Sequence, residues 1–87
     1  MKIIKTDRFQ KEYQKLPFEI KKLAISTLLE ISEAEIKQEI FQLKPMRKKD
    51  YYSINIGESY RLGVKIMDTE VLLISVAHRS DIYNKFP

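Results

Sequence analysis

Eighty-seven residues make one domain with a single modest core, too small to exclude water from a deep pocket, so any site is expected to be an open groove. The chain has no cysteine and one histidine, which rules out disulfides and thiolate metal sites and argues against an imidazole metal centre; neither a metal nor another cofactor is expected. Sixteen Lys and Arg against twelve Asp and Glu give a net charge of +4, which favours a polyanion, nucleic acid first, or an acidic protein as partner.

Lys2 to Lys5 is short and β-branched and reads as an opening strand, after which Thr6 or Asp7 supplies the oxygen that caps a helix. Phe9, Tyr13 and Leu16 follow at helical spacing. Pro17 ends this helix or opens a second, in which Ile20, Leu23, Ala24, Thr27, Leu28 and Ile31 line one face and Lys21, Lys22 and Glu30 the other. Such a stripe is ordinarily core, and two antiparallel helices are expected. Ile36, Ile40 and Leu43 keep helical spacing up to Lys44-Pro45, which predicts a further helical segment over 34–43. Lys44 to Asp50, KPMRKKD, is the densest positive stretch and reads as a loop. No apolar run approaches the roughly 20 residues that cross a bilayer, and charge interrupts residues 1–5 too early for a secretory signal. A soluble, cytoplasmic protein with no membrane partner is expected.

From Tyr51 the period changes to two. Tyr52, Ile54 and Ile56 alternate with Ser53 and Asn55; after a turn at Gly57-Glu58, Tyr60, Leu62, Val64 and Ile66 alternate with Arg61, Gly63 and Lys65. A second turn near Asp68-Thr69 leads into an apolar strand from Val71 to Ala77. The predicted architecture is α+β: one domain, residues 1–87, in the order β-α-α-β-β-β, with the helix pair on the apolar face of a small, mostly antiparallel twisted sheet.

Helices on the face of Ile54 and Leu62 leave Ser53, Asn55, Arg61 and Lys65 on the other. Counting by two along the last strand puts Val71, Leu73, Ser75, Ala77 and Arg79 on that open face, with Leu72, Ile74, Val76 and His78 behind. Arg61 and Arg79 then share a surface, where two guanidiniums repel unless an anion such as phosphate bridges them. The ordinary reading stands beside this one. A strand arginine is usually solvated, the basic loop is usually a solvated loop, and Tyr83 is more often a packing residue than a catalyst. His78 points toward the helices if the strand stays regular, and reaches the open face only if the strand ends at Ala77.

The tail AHRSDIYNKFP, the VLLISV before it and the strand ESYRLGVKI together resemble the RelE/ParE superfamily of toxins from bacterial and archaeal type II toxin–antitoxin pairs, in its RelE-like branch. The order of elements agrees along nearly the whole chain. The resemblance implies an endoribonuclease that enters the ribosomal decoding site and cuts mRNA without metal, the ribose 2′-oxygen attacking the adjacent phosphate. That chemistry needs a base, cations for the pentacoordinate phosphate and an acid for the leaving 5′-oxygen. Carried over, Arg61 is the strand arginine that grips the phosphate and Arg79 the arginine at the end of the last strand. Tyr83 orients the 2′-hydroxyl, stacks on a base or relays a proton, and His78 serves as base or acid. Ser53 and Asn55 stand where RelE has two lysines, so the compensating cations are sought in Arg47, Lys48, Lys49 and Lys65. The superfamily also implies a cognate antitoxin, here with an acidic amphipathic segment lying over the basic face or along the helices. Fold alone leaves two alternatives open, a ParE-like DNA gyrase inhibitor and a degenerate, non-catalytic antitoxin-binding member. The joint presence of His78, Arg79 and Tyr83 favours the nuclease, with ribosome and mRNA as its partners.

Overall fold

A computed structural model describes residues 1–86; Pro87, the end of the resembling tail, lies outside the described residues. The chain runs β1 (Lys2–Lys5), α1 (Asp7–Gln14), α2 (Phe18–Glu33), a 3-10 turn (Lys37–Glu39), β2 (Leu43–Pro45), β3 (Tyr51–Ile56), β4 (Tyr60–Met67), β5 (Glu70–His78) and α3 (Arg79–Lys85). The strands form one sheet in the order β1-β5-β4-β3-β2. β2 to β5 are antiparallel neighbours, and β1 lies parallel to β5, a pairing that needs a long crossover, supplied here by the intervening helices and strands.

Thr6 explains how β1 becomes α1. Its hydroxyl oxygen accepts from the Phe9 N–H at 3.1 Å, capping the helix, and donates to the Leu73 carbonyl at 2.8 Å, tying the cap to β5. β1 runs out at Lys5, opposite Leu73. Beyond it Glu12 serves the free edge of β5: one carboxylate oxygen accepts from the Ser75 hydroxyl at 2.6 Å and from the Val76 N–H at 3.1 Å. α1 and α2 cover one face of the sheet, with Phe9, Leu16, Ala24 and Ile31 against Ile54, Leu62, Val64 and Leu73. Of the residues expected on the inner face of α2, Leu23 is exposed instead, and the outer face carries exposed Phe18, Ile25 and Leu29 beside the lysines.

Four features depart from the sequence reading. Residues 34–43 form only the 3-10 turn, because Gln42 adopts a left-handed conformation (φ 59°) and Leu43 pairs with Ile54 as the start of β2. The KPMRKKD stretch accordingly begins in a strand and becomes a turn after Pro45. In β5 the count by two fails in the middle. Val64 pairs with Leu73 but Gly63 with Ser75, so Ile74 is an extra residue, a bulge that shifts the alternation by one. Val71 and Leu73 therefore lie in the helix-covered core with Val76, while Ala77 stays on the face counted for it and pairs with Arg61.

The fourth departure bears most on function: the second face of the sheet is not open. The tail forms α3, which lies across β4 and β5 and buries Ile82 and Phe86. The Phe86 ring sits on the backbone of Gly63 and meets Tyr51 edge-on, ring centres 5.6 Å apart.

Candidate nucleic-acid interface

Arg61 lies in the middle of this second face, opposite Asn55 on β3 and Ala77 on β5. It is only 8% exposed, so the expected solvated arginine is a covered one. One terminal nitrogen donates to the Tyr60 carbonyl at 3.0 Å and the Glu58 carbonyl at 3.4 Å. Its Nε and the Oδ1 of Asn55 are both buried without a partner among the described residues, and an orphaned buried group costs about 1–3 kcal/mol. Among the described residues no carboxylate pairs with Arg61 or Arg79, so neither charge is cancelled at short range.

Arg79 opens α3 and is exposed. Its N–H donates to the carbonyl of Ser59, in the turn just before β4, at 2.7 Å, which ties the start of the helix to the chain two residues before Arg61. Arg79 and Tyr83, four apart, share one side of α3, whereas Ile82 turns to the sheet. Tyr83 is 56% exposed. It lines a groove of about 550 Å³ with Pro45, Met46, Arg47 and Phe86. Beside the groove, Tyr51 carries a lysine ammonium near its ring from each of two elements: Lys48 at 5.1 Å and its cross-strand partner Lys65 at 5.4 Å.

Two expected members fall elsewhere. Past the bulge at Ile74, β5 stays regular through His78, which pairs with Tyr60 and so points to the helix side, away from Arg61. It is exposed rather than a core residue; its ring meets Tyr60 edge-on at 5.6 Å and its Nδ1 accepts from the Ser80 N–H, capping α3. Lys49 lines a separate groove with Lys37, Asp50, Ile66 and Met67. In that region the Tyr52 hydroxyl, 2.8 Å from the Lys37 ammonium, holds this lysine above its ordinary pKa. Ser53 and Asn55 face the tail, and Ser53 is buried beneath it.

Sequence reasoning missed Tyr51 and Phe86. Tyr51 was within reach, since the hairpin register places it opposite Lys65; Phe86 was not, because its contacts come from a helix docking onto a distant strand. The assembled surface comprises Arg47, Lys48, Lys65, Arg79 and Tyr83, with Arg61 beneath. It presents cations and a phenol, a set able to hold a phosphodiester and stack on a base.

Three helices around a five-stranded mixed sheet, with this cationic, tyrosine-bearing tail, define a RelE-like fold. No family model matches the chain, and no curated protein matches it by sequence. Solved structures do match. A chain of the RelB–RelE antitoxin–toxin complex from Methanococcus jannaschii superposes with a TM-score of 0.78 at 24% identity, over 97% of this chain and 99% of that one. The isolated E. coli RelE toxin gives 0.70 at 26% identity, over 97% and 92%. A chain of the intact E. coli RelBE toxin–antitoxin complex gives 0.71 at 26%, over 88% and 94%. The chain is RelE-like.

Proposed function

We propose that this chain is the toxin of a type II toxin–antitoxin pair, and that it is a cytoplasmic, metal-independent endoribonuclease cutting mRNA on the ribosome. The observation that carries the reading is the presence of Arg47, Lys65, Arg79 and Tyr83 on the tail side of the sheet with Arg61, no carboxylate neutralising Arg61 or Arg79 among the described residues. The likeness to RelE structures supports it.

In this reading the ribose 2′-oxygen forms a bond to the adjacent phosphorus and the bond from phosphorus to the 5′-oxygen breaks. The proton of the 2′-hydroxyl passes to a base, and the departing 5′-oxygen takes one from an acid, leaving a 2′,3′-cyclic phosphate and a 5′-hydroxyl. Arg61 and Arg79 stabilise the charge that grows on the phosphate oxygens. Tyr83, the titratable side chain in the groove with Arg47, orients the 2′-hydroxyl or handles its proton. His78 is the less suited candidate, since its ring lies on the other side of the sheet and caps α3. Arg47, Lys48 and Lys65 hold the flanking backbone. Lys49, in the separate groove beside Asp50, takes no part in holding the RNA backbone.

The test is translation of a defined message in a purified system with the protein added, followed by mapping of 5′ ends. New ends within the coding region are expected, and intact message at protein excess would overturn the reading. Arg61→Ala and Arg79→Ala should each lose about 2–4 kcal/mol of transition-state stabilisation, the scale for removing a charge-stabilising donor. Wild-type cleavage by both would show that the wrong cations have been named.

One observation favours the alternatives: Ser53 and Asn55 offer no cation, and Ser53 is buried. A ParE-like gyrase inhibitor would block supercoiling while leaving message intact, and a non-catalytic antitoxin-binding member would do neither. The antitoxin itself should be acidic and amphipathic. Exposed Phe18, Ile25 and Leu29 next to Lys21 and Lys22 on α2 suit the apolar face and the charges of such a segment.

A further inference from the structure

α3 has seven residues, well under the length at which a helix persists in water by itself, about 12–15. What holds it is therefore decisive for where Arg79 and Tyr83 stand. Its first turn is fixed twice, by the His78 cap and by the Arg79 N–H on Ser59. Its middle is fixed by Ile82, fully buried. Its end is fixed by Phe86, whose N–H donates to the Ile82 carbonyl and whose ring is 4% exposed.

The seat of that ring is specific. A Cβ built on Gly63 would lie 2.9 Å from three atoms of the Phe86 ring, closer than any side chain tolerates. Gly63 sits in the interior of β4, where glycine weakens a strand. Its backbone is not in the left-handed region, unlike that of Gly57 (φ 63°), so conformation does not require glycine here. The bulge does not require it either, since the extra residue, Ile74, is on β5. The room for the ring is what glycine supplies at this position.

We propose that Phe86 is a positioning residue: seated on the bare backbone of Gly63 and against the edge of Tyr51, it latches the end of α3 to the sheet and thereby places Tyr83 beside Arg47 in the groove. The proposal rests on the nuclease reading for its catalytic consequence, but the latch itself is a structural claim. Tyr83 is three residues from Phe86 and one from Ile82, so releasing the ring moves Tyr83. Arg79 moves less, tied by its own N–H to Ser59.

The experiment compares Phe86→Ala, Phe86→Leu, Gly63→Ala and the double variant Gly63→Ala/Phe86→Leu in the full chain. The first readout is amide hydrogen exchange by NMR, which is independent of any nuclease activity. Phe86→Ala and Gly63→Ala should lose protection at residues 82–86 while β4 and β5 stay protected, and the double variant, with a smaller side chain facing the added methyl, should regain it. The second readout is cleavage on the ribosome. The turnover number should fall roughly 10- to 100-fold in Phe86→Ala and Gly63→Ala, the cost of a catalytic group misplaced by about an ångström, with KM little changed, and recover in the double variant. Unchanged protection of α3 in Phe86→Ala overturns the latch whether or not the protein cuts RNA. Lost protection with wild-type turnover overturns the positioning role. If the wild type does not cleave, the nuclease reading fails and the exchange data alone decide the latch. Should Gly63→Ala not fold, Phe86→Ala still decides the outcome, because Phe86 packs on the face of the sheet opposite the helix-covered core.

Discussion

Arg61 and Glu12 show how single side chains here carry more than their own charge. The guanidinium of Arg61 bonds carbonyls of its own hairpin, which fixes its position without consuming its charge. Glu12 takes over where β1 stops, satisfying a backbone N–H and a buried hydroxyl of β5 with one oxygen. Removing it leaves both donors unbonded, so Glu12→Ala should destabilise the fold by about 1–3 kcal/mol. Glu12→Gln, which keeps an acceptor oxygen, should lose clearly less. Urea unfolding checks this: the midpoint should drop for Ala with an unchanged slope, and equal losses for both variants would mean that charge rather than the hydrogen bonds holds the edge.

Helix α2 carries apolar residues on its exposed side as well as on its buried one. Ile31 and Ala24 are buried, whereas Ile25 and Leu29, equally apolar, are exposed. Ile31→Ala should cost about 2–5 kcal/mol through the lost contacts and the cavity left behind. Leu29→Lys should change stability by less than about 0.5 kcal/mol, as exposed substitutions do. Thermal or urea unfolding of the two variants separates the faces, and a large loss from Leu29→Lys would mean that something in the folded chain covers that side. The helical spacing over 20–31 was legible in the sequence, and so was the inward face apart from Leu23. The exposure of the second apolar stripe was not, because a periodic pattern says which residues align and not how many elements are available to cover them.

At the scale of the whole molecule, the two grooves that hold residues of the basic loop differ in their charges: Arg47 lines the tail groove with no acidic residue, whereas the other mixes Lys37 and Lys49 with Glu35, Asp50 and Asp68. Lys48 and Lys65 stand by Tyr51 and the tail, and Lys49 lines a groove that also contains Asp50. A labelled single-stranded RNA should bind more weakly as salt rises. Lys48→Gln should reduce the slope of log K against log salt by about 0.7, the value for one phosphate contact on a single strand. Lys49→Gln should leave the slope nearly unchanged. Fluorescence anisotropy against a potassium chloride series makes the comparison, and equal effects of the two lysines would show that RNA does not discriminate between the grooves.

What the residues alone determined was whatever depends on near neighbours. The period-two alternation of β3 and β4, the turns at Gly57 and Asp68, a helix cap at Thr6 or Asp7 and the placing of Arg61 and Ala77 on one face all follow from spacing and turn chemistry, and all are present, the cap being Thr6. The tertiary structure alone decided the pairing of Leu43 with Ile54, the bulge at Ile74 and the docking of the tail that covers Arg61. Each of these depends on what a distant part of the chain offers. Glycine at 63 becomes a seat only once Phe86 reaches it, and His78 becomes a helix cap only once the tail turns into α3, because side chains far apart in sequence meet through packing that no local period encodes.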